Sequence, residues 1–267
     1  MIVKGMSRAD IEQLGKQHAS NTEVANILNS FYLRVDLEET SIARHLTQDG
    51  FWESWVTRWF IENVTAGSIC VDAGANYGYF TRLMAHLSGP QGIVYAIEAN
   101  PVLTSHLDRS LVEFPDESAS KVIVYNYALA DVAKQVTLTV FGNNHCNSTI
   151  ITTEEEQDLE INVCKIQALP LTHIVPQKLE IDILKLDIEG AEPLAYAGMQ
   201  DMLDCVNVIV MEVNPEMIQK NPRFIHTLYV DRDVSYINWT GDEEPIEYQN
   251  LYALAQPVML VLRKSKF

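Results

Sequence analysis

Three short stretches of the chain carry residues able to do chemistry. "VDAGANYG" places Asp72 two residues before Gly74, and Gly78 four residues after it, where a hydrophobic strand gives way to a helix. In an open parallel sheet such a junction lies at the carboxyl end of a strand, which is where ligands bind. A dinucleotide fingerprint needs G-x-G-x-x-G. Counted from Gly74, the two later positions hold Asn76 and Tyr79, so the fingerprint fails and a pyrophosphate finds less room. The carboxylate of Asp72 repels phosphates and suits a ligand bearing an ammonium and a sulfonium. S-adenosylmethionine is such a ligand, with Asn76 and Tyr77 completing the loop around it. Glu98 ends the next strand, 20 residues after Gly78 and just before Ala99. A carboxylate there accepts both hydroxyls of a ribose. "NYALAD" closes the third strand, where Ala128 and Leu129 would flank an adenine.

The second stretch is "IDILKLDIEGAE", a core strand that runs into Asp187, Glu189 and Glu192. Methyl transfer from a sulfonium is an in-line displacement that needs acceptor, methyl and sulfur aligned away from water. A hydroxyl acceptor must also shed its proton, to a carboxylate, a histidine or a metal-bound oxygen. Asp187 ends the fourth strand, beside the first in the expected order, and is the candidate for catalysis or cofactor contact. Glu189 is the candidate on the acceptor side, in a turn that Gly190 allows to tighten. Glu192 falls in the first turn of a helix, where the helix dipole favours an acid. Lys185 is expected to pair with a neighbouring carboxylate. His145, in "GNNHCNST", is a further candidate base, and His173 and His226 are others. The third stretch, "VNVIVMEVNP", ends in Glu212 and Asn214. With Asp187 these would offer three oxygen ligands to Mg²⁺. Asn214 is equally well explained as a helix N-cap before Pro215.

The elements that must hold these residues read as strand, glycine turn, helix, repeated from Ser68 onward. Strands are expected at "SICVDA", "GIVYAIEANP", "KVIVYNYALAD", "IDILKLD" and "VNVIVMEV", with "QPVMLVLRKS" last and "DVSYINW" as its neighbour. Strands alternating with helices imply a parallel sheet covered on both faces. Asn100-Pro101 and Asn214-Pro215 both read as N-cap and first helical residue. Residues 134–167 break the alternation and read as a β insertion, whose acidic run from Glu154 to Glu156 reads as a solvated loop. Residues 7–64 read as helices without strands. Within them Trp52, Trp55, Val56, Trp59 and Phe60 share one helical face, as a core contact or as the wall of a ligand pocket. The expected organisation is an N-terminal helical cap over 1–65 and a catalytic domain over 66–267.

Composition narrows the partners. A formal net charge of −17 argues against nucleic acid, which needs clustered Lys and Arg. No apolar run approaches the roughly 18 residues of a membrane span, and the first residues lack a signal-peptide pattern. A cytoplasmic protein is expected. The 4 cysteines have no C-x-x-C spacing, so neither disulfides nor zinc are expected, and Cys70 and Cys205 read as core thiols. A small-molecule acceptor is the expected partner; a homodimer stays open.

In their order, "VDAGANYGYFT", "IEANP", "NYALAD", "LKLDIEGAE" and "MEVNP" resemble the FkbM-type family of class I S-adenosylmethionine-dependent methyltransferases. The resemblance runs from about Ile69 to Pro215. It implies an α/β, Rossmann-like, seven-stranded and mostly parallel sheet with one antiparallel strand near the end. It also implies O-methylation of a small molecule, such as a natural product or a sugar. N- or carboxyl-methylation is the alternative. A nicotinamide-dependent oxidoreductase is disfavoured by the failed fingerprint.

Overall fold

The computed structural model describes residues 2–17, 22–38, 42–141, 144–151 and 161–265, with side chains described outside 140–163. The N-terminal segment holds α1 (Arg8–Lys16), β1 (Val24–Ile27), β2 (Phe31–Arg34), α2 (Ile42–Asp49) and α3 (Ser54–Asn63). Then come β3 (Ile69–Ala73), α4 (Tyr79–Ser88), β4 (Ile93–Ile97), α5 (Pro101–Glu113), β5 (Lys121–Tyr125) and β6 (Ala128–Leu129). The inserted strands are β7 (Lys134–Phe141), β8 (Asn144–Ile151) and β9 (Ile161–Leu169). The chain continues through β10 (Ile181–Leu186), α6 (Glu192–Gly198), β11 (Val206–Val213), α7 (Pro215–Lys220) and α8 (Pro222–Asp231). It ends with β12 (Arg232–Ile237), β13 (Glu243–Pro245), α9 (Tyr248–Leu251) and β14 (Val258–Lys264).

The central sheet is Rossmann-like and has eight strands, in the order β13-β12-β14-β11-β10-β3-β4-β5. The five strands from β11 to β5 run parallel. β14 lies antiparallel between β11 and β12, and β13 is antiparallel to β12. This corrects the expected seven strands: "EEP" at 243–245 adds an edge strand that is too short and too acidic to read as one. The order reverses beside β3, so a crevice opens over the carboxyl ends of β3 and β10.

Alternation along β10 decides which residues face which layer. Leu184 and Leu186 belong to one buried cluster with Tyr196, Ile209 and Met211. Ile183 belongs to the other, with Trp59, Phe60, Leu83 and Met84. Lys185 therefore points into that second layer. So does Asp72, its register partner on β3.

The N-terminal segment differs from its reading as helices alone. β1 and β2 form an antiparallel hairpin with Ala25, Ile27, Phe31 and Leu33 buried. Its strands are only four residues each, and Leu28 and Asn29 turn through left-handed backbone (φ 48° and 49°), a hairpin device with no glycine to announce it. The segment shares its apolar layer with β3 and α4. The insertion is β structure, as expected, and forms a second sheet in the order β6-β9-β7-β8. The acidic run Glu154–Glu156 lies outside the described residues. Among the described residues no helix is long and apolar enough to cross a membrane.

Candidate active site

The glycine loop is shaped by backbone rather than by side chains. Gly74 sits at φ 79°, and a Cβ there would lie 1.7 Å from the carbonyl oxygen of Asp187. Only glycine lets the loop after β3 pass this close to the end of β10. Gly78, at φ 91°, precedes α4 and packs against Leu107. The Gly74 and Ala75 N–H groups donate to the Ile97 carbonyl at 2.9 and 3.1 Å, which ties the loop to the end of β4.

Glu98 is the hinge of this arrangement. Its Oε2 accepts the Asn76 N–H at 2.8 Å and its Oε1 accepts the Asn100 N–H at 2.7 Å. One carboxylate thus joins the glycine loop to the start of α5, where Asn100 caps the helix by accepting the Val102 N–H at 2.9 Å. Each oxygen keeps a lone pair for a ligand hydroxyl. Burial raises the Glu98 carboxyl above its usual range, and the two N–H donors oppose that.

A cavity of about 180 Å³ lies over these strand ends. Gly74, Asn76, Tyr77, Glu98 and Ala99 line one side, and Tyr127, Ala128 and Leu129 line the next. Asp187 and Glu189 line the opposite side. The predicted cofactor residues therefore share one cavity, with two exceptions. Gly78 acts from behind the loop. Asp72 does not face the cavity: it is fully buried beneath the loop, where its Oδ2 accepts the Thr81 hydroxyl at 2.6 Å. The expectation that Asp72 meets the ligand's cationic groups is corrected accordingly. β alternation turns its side chain toward α4 and Lys185.

Lys185 links the two acids. Its Nζ lies 2.9 Å from Asp187 Oδ2 and 4.0 Å from Asp72 Oδ1, over the face of Phe80. The side chain is 2% exposed. Burial disfavours its charge, yet Asp187 and Asp72 outweigh burial and hold the ammonium firmly protonated. The expected carboxylate partner of Lys185 is thus two carboxylates. Asp187 is fixed at the backbone too, through its N–H on the Ala73 carbonyl at 3.1 Å. Glu189 sits in left-handed backbone at φ 55°, followed by Gly190 at φ 98°. Non-glycine residues held this way cost about 1–3 kcal/mol and gather at functional sites. Burial, then the nearby Asp187, raises the Glu189 carboxyl.

Glu192 serves structure. It is buried at the start of α6, and its Oε1 accepts the Ile188 N–H at 2.9 Å, closing the turn that carries Asp187 and Glu189. Burial pushes its carboxyl up to about 7.

The remaining sequence candidates separate. His145 falls on β8, described by its backbone only. His173 and His226 are exposed and do not line the cavity. The Mg²⁺ ligand set does not fit. Asn214 spends its Oδ1 on the Met217 N–H at 2.8 Å as the cap of α7. The Lys185 ammonium already occupies the inner side of Asp187. Among the described residues no group of three His, Cys, Asp or Glu side chains is arranged to hold a metal ion.

The cavity wall also draws on the N-terminal segment and on the insertion. Trp52 and Glu53, just before α3, line the cavity from the N-terminal segment, so the Trp-rich stretch is both core (Trp59, Phe60) and wall (Trp52). Leu138 of β7 lines it from the insertion. The aromatic periodicity pointed to Trp52. Nothing in the local sequence marked Glu53, because its placement depends on how α3 docks.

The model of the FkbM methyltransferase domain matches residues 72–236, the span that holds the glycine loop, Glu98 and Asp187. Methyltransferase sdnD of Sordaria araneosa is 27% identical over 211 residues, covering 68% of this chain and 78% of that protein. Among solved structures, an S-adenosylmethionine-dependent O-methyltransferase of Thermotoga maritima aligns with TM-score 0.43 and 11% identity, over 80% of this chain and 65% of that one. A precorrin-6y C5,15-methyltransferase of Geobacter metallireducens aligns with TM-score 0.44 and 13% identity, over 86% of this chain and 96% of that one. The chain belongs to the FkbM methyltransferase family.

Proposed function

We propose that the protein transfers a methyl group from S-adenosylmethionine to a hydroxyl of a small molecule. The observation that carries this reading is the pairing, across one cavity, of Glu98, at the end of β4 and bonded to the glycine loop, with the acids at the ends of β10 and β11. The residues fit the cofactor. Glu98 has lone pairs for the ribose, and Ala128 and Leu129 offer an apolar slot beside it for the adenine. Gly74 lets the backbone approach. The cofactor supplies an electrophilic methyl when bound. The chain's own residues supply alignment, exclusion of water by Trp52, Tyr79 and Phe80, and a carboxylate for the acceptor's proton.

The charge of the acceptor side supports a hydroxyl. Among the described residues Glu53, Asp187, Glu189 and Glu212 line it against the single ammonium of Lys185. A carboxylate acceptor would be repelled, which disfavours carboxyl-methylation. An amine would be held as ammonium, its lone pair blocked by a proton. A neutral hydroxyl donates to a carboxylate and is thereby prepared for attack. The same acids favour a neutral small molecule over a polyanion, in keeping with a formal net charge of −17.

The test is incubation with S-adenosylmethionine and a panel of hydroxyl, amine and carboxyl acceptors, read by mass spectrometry. A gain of one methyl on hydroxyl acceptors, with stoichiometric S-adenosylhomocysteine, is expected. Methylation confined to amines or carboxyls would overturn the O-methyl reading.

A further inference from the structure

We propose that Glu53 and Glu212 form a proton-holding pair on the acceptor side of the cavity: it releases its proton when the sulfonium of S-adenosylmethionine docks, and regains one from the acceptor hydroxyl. The proposal rests on the methyl-transfer reading above.

The two residues are 159 positions apart, yet both line the cavity beside Asp187 and Glu189. Among the described residues Lys185 is the one cationic side chain of the lining, and it is already committed to Asp187 and Asp72. Among the described residues neither Glu53 nor Glu212 has a hydrogen-bond donor or ion-pair partner. The Oε2 of Glu53 is enclosed and unsatisfied.

The backbone explains why Glu53 is left this way. It occupies the N-cap position of α3, where an acid ordinarily turns back to accept a helix N–H. Here it adopts left-handed backbone, φ 38° and ψ 67°, and makes no cap bond. The strain is borne and the cap forgone, which leaves the carboxyl aimed into the cavity. Tyr79 of α4, which also lines the cavity, offers no donor either: Thr57 Oγ1 donates to the Trp52 carbonyl and takes the Tyr79 hydroxyl at 2.9 Å.

An enclosed carboxyl without a donor is most stable with its proton. Burial, then Asp187, pushes Glu53 up to about 7. Burial, then Asp187, Glu189 and Glu53, pushes Glu212 up to about 8, with Lys185 opposing. A sulfonium brought against these acids favours their charged forms.

The cycle then balances. Docking of the sulfonium expels one proton from the pair to solvent. In transfer, a lone pair of the acceptor oxygen forms the new C–O bond and the methyl–sulfur bond breaks, its electron pair returning to sulfur. The acceptor's O–H proton passes to the carboxylate pair. The neutral sulfide product leaves a protonated pair, which is the starting state.

The experiment compares S-adenosylmethionine with S-adenosylhomocysteine, which differ at sulfur by one methyl and one charge. Both are titrated calorimetrically into the intact protein at pH 7, in phosphate and in Tris, whose ionisation enthalpies differ. The change in binding enthalpy between buffers counts the protons released. The sulfonium is expected to release roughly half a proton or more beyond the sulfide. Glu53→Gln is expected to cut that excess by about half or more, and the double variant with Glu212→Gln to remove it, while S-adenosylhomocysteine still binds. Equal proton counts for the two nucleosides in the unaltered protein would overturn the proposal, and that comparison needs no variant to fold. So would an undiminished excess in the double variant. If neither nucleoside bound, the methyl-transfer reading itself would fall, and the pair's role with it.

Discussion

At the scale of single residues, Glu98 and Asp187 divide the labour. Glu98 faces the cavity with both oxygens already steered by the Asn76 and Asn100 N–H groups. Glu98→Ala removes the ribose acceptor and unties the loop from α5. The dissociation constant for S-adenosylhomocysteine is expected to rise about 10- to 100-fold by calorimetry. Asp187→Asn keeps the shape and the backbone anchor on Ala73 but gives up the negative charge opposite Lys185. It is expected to bind S-adenosylhomocysteine within about threefold of the unaltered protein and to lose at least about 100-fold in turnover on a hydroxyl acceptor. Full activity in that variant would remove Asp187 from catalysis. The acids of "KLDIEGAE" were legible as a site because a core strand has no other reason to end in them. Their separate duties were not. Asp72 and Asp187 look alike in sequence, and only their places along the sheet separate them: Asp72 lies within β3, beneath the loop, and Asp187 lies just past the end of β10, at the cavity rim.

At the scale of elements, the turn between β10 and α6 is where sequence and geometry agree best. Glu189 and Gly190 take left-handed backbone, and Glu192 bonds back to the Ile188 N–H. Glu192 also makes a prediction about pH. Its carboxyl moves from an ordinary 4.5 to about 7 on folding, so the folded state holds the proton more tightly. That contribution to stability is fully present below about 4.5 and is lost as pH rises through about 7. Glu192→Gln cannot lose a proton, so its melting temperature is expected to fall less between pH 5 and pH 8, by roughly 2–5 °C. The same slope in both proteins would contradict this. The loop after β3 yields a second test. Gly74→Ala drives a methyl into the Asp187 carbonyl and is expected to cost at least about 2 kcal/mol and to abolish nucleoside binding, read by denaturant unfolding and calorimetry. The glycine spacing showed that a ligand loop was present. It could not show that the partner of Gly74 is the backbone of Asp187, because that contact joins two strands more than a hundred residues apart.

At the scale of the whole molecule, the cavity is assembled from three sources: the central sheet, the insertion through Leu138, and the N-terminal segment through Trp52 and Glu53. The parallel sheet was readable because each strand is a short apolar run closed by a turn or cap signal, and Asn100-Pro101 and Asn214-Pro215 mark two helix starts outright. The β1–β2 hairpin was not, since four-residue strands beside a helical pattern give too little periodicity to separate from it. Glu53 was missed for a related reason: its function follows from where a helix docks, and docking is decided by Val56, Trp59 and Phe60 on the face turned toward the core. This cavity is proposed to bind S-adenosylmethionine and its product through Glu98. Isothermal titration of S-adenosylhomocysteine and of NADH into the intact protein tests it most directly. Saturable binding of S-adenosylhomocysteine with one site per chain, lost or weakened in Glu98→Ala, is expected, with no binding of NADH. Absence of nucleoside binding at millimolar concentration, or binding of NADH in its place, would contradict it.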